Sequence, residues 1–241
     1  MHPPCSYCGK TIHGKYILDF WGNSYCAFHL KTTPQCDYCG RFIGTKSTKG
    51  GKAYQDGRRI CGICLMNSVD TPRKGLKILE EVHDSLEISG IKIRPFKPDF
   101  ALISRSKMKQ RDRVSAEKQG TATYQRETKN GKLSHYIMEI YILDGLPRVN
   151  FISTSAHELM HIWFYSHNIT DASPALVEGS CNMASYLVLK SLKTLEAEYL
   201  IQGLFSSKSK VYGSGFRKVQ KLADRQGITG WLEYLKTHKR I

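Results

Sequence analysis

The residues most able to do chemistry stand in the run Ser155-Ala-His157-Glu158-Leu-Met-His161-Ile-Trp163. On an α-helix, positions four apart lie one turn apart on the same face, so His157 and His161 can share one Zn²⁺. Glu158 is displaced round the helix, where its carboxylate can reach the water such an ion would activate and serve as general base. Apart from Glu158 and the histidines, the run carries no ionisable side chain, as expected of a helix buried beneath a catalytic cleft. A core helix with two satisfied histidines is the competing explanation.

A catalytic zinc takes three protein ligands and keeps one position open. His167 falls in the register of the last histidine of HExxHxxGxxH, the metzincin pattern. That pattern needs glycine to break the helix, and Phe164 stands in the glycine position, where the turn is unfavourable. In a helix that continues, six residues carry His167 about 240° round from His161. Glu178 is therefore the expected third ligand. It lies in Ser173-Pro-Ala-Leu-Val-Glu-Gly-Ser180, where Ser173 can cap a second helix and Pro174 can begin it. Gly179 would let that helix come close to the HExxH helix. Two histidines from one helix and a glutamate from the next make the gluzincin arrangement. Cys181 reads as a small core residue, because a fourth protein ligand would close the site.

A second kind of metal chemistry is written into the N-terminal part, which holds seven of the eight cysteines within residues 1–64. Cys5-x2-Cys8, Cys26-x2-His29, Cys36-x2-Cys39 and Cys61-x2-Cys64 are chelating pairs, and two pairs complete one closed tetrahedral site. Two structural zinc ions are expected, one on Cys5, Cys8, Cys26 and His29 and the other on Cys36, Cys39, Cys61 and Cys64. Interleaved pairing, as in RING domains, is the alternative. Cys-Gly-Lys after the first pair and Cys-Gly-Arg after the third mark a weak internal duplication, with a small hairpin expected in each half. So little apolar sequence lies between the ligands that this segment should need metal to fold.

These residues must be held by an α+β scaffold. Past Asp70-Thr71-Pro72 the cysteines stop, placing a boundary near residue 70. Leu76, Leu79, Val82 and Leu86 have helical spacing that ends before Gly90. Residues 91–95 and 100–103 read as short strands, and 121–128 with 133–143 as a hairpin across Asn130-Gly131. Ile137 to Leu143 could present an edge to an extended substrate. From Val149 onward the pattern is mostly helical. The basic run Arg105–Arg113 reads as a solvated loop or strand edge, with docking to an acidic partner as the sharper alternative.

With 36 Lys and Arg against 21 Asp and Glu, the net charge is +15, which favours acidic partners. Residues 1–70 carry 9 basic and 4 acidic residues, only +5, with no basic helix suited to a major groove, so protein recognition is favoured over nucleic acid. No run of 18 apolar residues exists, and Met1-His2-Pro3-Pro4-Cys5 does not open a secretory leader, so no membrane span and a cytoplasmic location are expected.

The chain resembles the DA-one-type plant organ-size regulators, which are ubiquitin-activated LIM-domain peptidases. The resemblance rests on Cys26-x2-His29 through Thr33-Pro34-x-Cys36-x2-Cys39, Asp56-Gly57-Arg58-x2-Cys61-x2-Cys64, Gly145-Leu-Pro-Arg148 and His157-Glu158-x2-His161-x-Trp163. It continues through Glu178-Gly179-x-Cys181 and Tyr212-Gly-x-Gly-Phe-Arg217. Six residues separate His29 from Cys36 where a typical LIM domain has two. The resemblance implies a zinc endopeptidase acting on protein substrates, with His157, His161 and Glu178 as ligands, Glu158 as base, and fingers that recruit substrates or regulators. The family's ubiquitin-interacting helices have no counterpart in the sequence, so ubiquitin activation is not carried over, and a compact bacterial relative would fit equally. The expected layout is a LIM-like double finger over 1–70 and a gluzincin-like metallopeptidase over 71–241, with a small sheet and a mostly helical C-terminal half. Tyr212 and Arg217 are candidates for stabilising the oxyanion, because Gly213 and Gly215 could bring their loop to the site. The alternative is a zinc-finger adaptor for acidic protein or nucleic acid, with a degenerate peptidase part.

Overall fold

The structure is a computed structural model that describes residues 2–94, 96–111, 118–129 and 132–241. Its contacts divide the chain into two units, Met1–Ser68 and Val69–Ile241.

In the first unit the duplication is visible in the backbone. The Cys5 carbonyl accepts from Gly9 N–H at 2.8 Å and the Cys36 carbonyl from Gly40 N–H at 2.9 Å. Gly9 and Gly40 sit at φ 78° and 71°, the left-handed region that glycine enters at little cost. Each knuckle then leads to a hairpin: β1 (Tyr16–Leu18) with β2 (Ser24–Cys26), and β3 (Gly51–Ala53) with β4 (Arg59–Cys61). Tyr16 pairs with Cys26 and Gly51 with Cys61, so each second strand delivers a cysteine at its end. The two halves share a small core in which Cys5, Ile12, Tyr25 and Phe42 are buried. Trp21 locks them together, donating its indole N–H to the Cys39 carbonyl at 2.8 Å while Arg41 stacks 3.5 Å from its ring centroid. The longer spacer after His29 is partly taken up by a helical turn, His29–Thr32.

The second unit opens with α1 (Pro72–Ile88), capped by Thr71, whose hydroxyl accepts from Lys74 N–H. Ile78, Leu79, Val82 and Leu86 form its buried stripe, and the chain leaves at Gly90 with φ 94°. Ile91 and Ile93 are buried but belong to no strand, correcting the expected strand there; their alternation follows burial without a pairing partner. β5 (Asp99–Ile103), β6 (Gly120–Lys129) and β7 (Lys132–Leu143) make one sheet in the order β5-β7-β6. β5 runs parallel to β7, and β6 antiparallel to it. The turn residues Asn130 and Gly131 lie outside the described residues. Because β7 is paired on both sides over Glu139–Leu143, that stretch offers no edge to a substrate, and the expectation for Ile137–Leu143 is overturned there. The basic run is also corrected: Arg105–Arg111 forms a helix, α2, with Met108 buried. Its Arg111 stacks 3.6 Å from the Tyr141 ring centroid, while Asp112 and Arg113 lie outside the described residues.

The remainder is helical: α3 (Arg148–Ser166), α4 (Pro174–Leu192), α5 (Leu195–Ser206), a π-helical turn at Lys210–Ser214, and α6 (Gly215–Thr237), broken at Gly227. The Ser185 hydroxyl donates to the Ser153 carbonyl at 2.7 Å, a small-residue contact between α4 and α3. Gly179 does something other than expected. A Cβ there would stand 2.5 Å from the Gly215 carbonyl carbon, so its missing side chain admits the start of α6 and, with it, the turn bearing Tyr212. Ser173 is at the N-cap of α4, yet its side chain makes no capping bond; its backbone carbonyl accepts from Leu176 and Val177 instead. No helix of the described residues is long and apolar enough to cross a membrane.

Candidate metal centres and catalytic cleft

Three groups of side chains converge closely enough to hold a metal ion: Cys5, Cys8, Cys26 and His29; Cys36, Cys39, Cys61 and Cys64; and His157, His161 and Glu178 with Cys181 beside them. The finger groups are the sequential ones; the interleaved combinations are not brought together. Their chemistry fits zinc. Sulfurs about 2.3 Å from a central ion form a tetrahedron with edges of about 3.8 Å. The Cys39 and Cys61 sulfurs are 3.6 Å apart, and those of Cys8 and Cys26 are 4.0 Å apart, with every thiol free. Hydrogen bonds from the other three thiols drive the Cys36 thiol down towards thiolate, and the same mutual bonds push Cys39 and Cys64 up, so the four thiols share protons as one cluster. Burial opposes ionisation of Cys5, but the amides of Cys8, Cys26 and Tyr7 bring it to about 6. The His29 Nδ1 engages Thr33 Oγ1 at 3.3 Å, while its buried Nε2 has no hydrogen-bond partner among the described residues.

The third group is built by α3 and α4. Glu178 Oε2 is 3.1 Å from His157 Nε2 and 3.7 Å from His161 Nε2, yet has no aligned hydrogen-bond donor among the described residues. The three atoms point at a shared space and not along one another's bonds. Asn182, which the sequence reading missed, sits behind His157 with Oδ1 3.1 Å from Nδ1. It follows Glu178 by four positions, one turn further on the same face, a spacing legible in the sequence only once Glu178 is taken as a ligand.

The electrostatics suit a cation. Burial depresses His161 first, the charge of His157 adds to it, and the pKa falls to about 4, leaving a neutral imidazole at pH 7. Burial also works against protonated His157, but the Glu178 carboxylate and the Glu158 charge outweigh it and hold its pKa above the ordinary value. Glu178 is likewise penalised by burial and brought down on balance by the two histidines. Cys181 is fully buried, and burial followed by the charges of Glu178 and Glu158 raises its thiol well above the usual range.

The group opens onto a cleft of about 330 Å³ lined by His157, Glu158, His161, Glu178, Asn182 and Tyr212, and also by Lys118 and Gln119, which lead into β6, and by Gly120 at its start. The close passage of β6 depends on Gly120: a Cβ there would lie 2.8 Å from both Cγ and Oε1 of Glu158. Lys118 is a further residue the sequence reading passed over, and its positive charge lowers Glu178. Tyr212 lines the cleft, and burial, then the charge of Glu178, raises its pKa, so the phenol keeps its proton. Arg217 does not line it. Its guanidinium donates to the carbonyls of Phe205 and Ser207 at 2.9 Å each, fastening the chain before the Tyr212 turn. His167 terminates α3, with Nδ1 2.8 Å from the Trp163 carbonyl and its ring stacked on Trp163, apart from the metal-facing group.

A mixed helix-and-sheet protein with three candidate metal clusters is what the fold and side chains define. The family model described as DA1-like, Protein DA1, matches residues 46–197, and the chain belongs to that family. It is 26% identical over 258 aligned positions to Protein DA1-related 1 of Arabidopsis thaliana, covering 91% of this chain and 46% of that protein. To Protein DA1 of the same plant it is 24% identical over 305 positions, covering 100% of this chain and 57% of the relative. To the LIM domain-containing protein HDR3 of Oryza sativa subsp. japonica it is 26% identical over 227 positions, covering 79% and 45%. The chain thus spans about half the length of the curated relatives it matches. No solved structure matches it.

Proposed function

We propose that the chain is a zinc-dependent endopeptidase of gluzincin type, in which residues 71–241 hydrolyse peptide bonds in protein substrates and the double finger of residues 1–70 recruits substrates or regulators. The observation that carries this reading is the convergence of His157, His161 and Glu178 on one space, with Glu158 lining the same cleft. His157, His161 and Glu178 would hold the catalytic ion, and the two finger groups would hold one structural ion each. A bound zinc supplies Lewis acidity that makes water a better nucleophile and polarises the scissile carbonyl.

The protein's own residues supply the rest. Glu158 takes the proton of the attacking water and returns it to the leaving amine. Tyr212, held protonated at the cleft, is placed to donate to the oxyanion that develops on the carbonyl. Arg217 serves by fastening the segment that precedes Tyr212. The net charge of +15 suits acidic regions of protein partners.

The test is Glu158→Gln. It should retain the metal of all three groups and lose hydrolysis of an unstructured protein by at least about 100-fold, the scale of a general base. Hydrolysis at the wild-type rate would sink the peptidase reading.

A further inference from the structure

Asn182 makes two hydrogen bonds that run in opposite directions through one amide. Its Nδ2 donates to the Tyr212 backbone carbonyl at 3.1 Å, and its Oδ1 faces His157 Nδ1 at 3.1 Å. A backbone carbonyl only accepts, so Nδ2 must be the atom turned towards it. Oδ1 is then left to accept the Nδ1 proton of His157. This selects the tautomer whose Nε2 lone pair is turned towards the space shared with Glu178. One turn of α4 therefore delivers both Glu178 and the residue that orients the histidine opposite. The same amide grips the π-helical turn at Lys210–Ser214, an irregular element whose Tyr212 side chain lines the cleft.

We propose that Asn182 is a positioning residue that joins the two working halves of the cleft, fixing the metal-facing tautomer of His157 while holding the Tyr212 turn in place. The inference rests on the zinc-peptidase reading and adds to it a division of labour within one side chain. Aspartate at this position would keep an acceptor for His157 Nδ1–H but lose the donor to the Tyr212 carbonyl, and would set a carboxylate oxygen against that carbonyl. Leucine, of similar size, would lose both bonds.

The experiment uses the full chain as wild type, Asn182→Asp and Asn182→Leu. Affinity for the third zinc is read by competition with a chromophoric chelator, with the finger zincs as internal reference, and kcat and KM are measured at saturating zinc. Asn182→Leu should bind the third zinc about 10–100-fold more weakly, the usual effect of removing a partner behind a ligand. Asn182→Asp should bind it at least as tightly as wild type, because a carboxylate raises the basicity of the imidazole. Its kcat should nevertheless fall by about 10-fold or more with KM little changed, because the displaced Tyr212 acts only as charge develops. A general packing defect would not separate the two readouts in this way. Equal zinc affinities in the Asp and Leu variants, or a wild-type kcat in the Asp variant, would overturn the proposal. If the Leu variant fails to fold, the Asp variant decides alone by the same split. A wild-type chain that holds zinc only in its fingers would overturn the peptidase reading itself, a result distinct from the failure of the Asn182 assignment.

Discussion

The finger groups and the His157 group are assembled from the same kinds of side chain, yet they differ in what surrounds them. Each finger group has four converging donors, thiols in the majority, brought together by tight knuckles and hairpin ends. The His157 group has three good donors and a cleft on its remaining side. Cys181 stands where a fourth could be, its thiol raised by burial and by two nearby carboxylates. Closure suits a structural ion, and an open side suits one that meets substrate. The supports differ as well. The first unit has a core of few apolar residues, among them Ile12, Tyr25 and Phe42, whereas the second buries many apolar side chains along α1, β7, α3 and α4 that rely on no metal group for their packing, such as Leu79, Ile140, Phe151 and Leu189.

That contrast yields its largest test on chelation. Removing zinc from the whole protein should unfold Met1–Ser68, where ligand convergence organises the chain, while Val69–Ile241 keeps its helices. Amide hydrogen exchange reads both at once: loss of protection confined to the first unit is expected, and equal loss in both would erase the distinction.

Next in size is the ligand set of the open site. Glu178→Ala should weaken the third zinc by orders of magnitude, and His167→Ala should leave it in place, since the His167 ring is committed to Trp163. Zinc occupancy under the same mild chelation compares them. Retention in Glu178→Ala together with loss in His167→Ala would require α3 to break before His167.

A smaller effect is expected from pH. The His157 pKa is raised above 6.5, so in chelated protein its charged pairing with Glu178 contributes stability that is fully present below that value and lost as pH rises through the raised one. Zinc needs the unprotonated nitrogen, so its affinity runs the other way and weakens as pH falls through the same range. His161, near 4, adds no such dependence around neutrality. Acidification from about pH 8 to about pH 6 should therefore release the third zinc, which His157, His161 and Glu178 would hold, ahead of the four-ligand finger zincs. Release in the reverse order would contradict the assignment of protons.

What was legible in the sequence follows from distance along the chain. The Cys-x2-Cys knuckles and His157-x3-His161 are local geometries in which spacing alone sets which atoms meet, and Glu178 follows from the start signals of α4. The sheet order was not legible, because the placement of β7 between β5 and β6 depends on the parallel pairing of Asp99–Ile103, a contact across some forty residues. Gly179 was legible as a close approach, but not as one to Gly215. The helix at Arg105–Arg111 was obscured by its charge, although Met108 supplies its buried face and Tyr141 receives Arg111. Asn182 and Gly120 carry no motif of their own, and their roles exist only relative to His157 and Glu158.

The central claim, that the His157 group would be an open hydrolytic zinc site and the two finger groups closed structural ones, is tested most directly by measuring zinc content and proteolysis on one sample. Protein purified without added metal should hold about three zinc ions per chain by ligand count. It should cleave an unstructured protein, lose that activity when mild chelation removes about one ion, and regain it when zinc is restored. About two zinc ions per chain, no cleavage, and no gain on adding zinc would contradict the account.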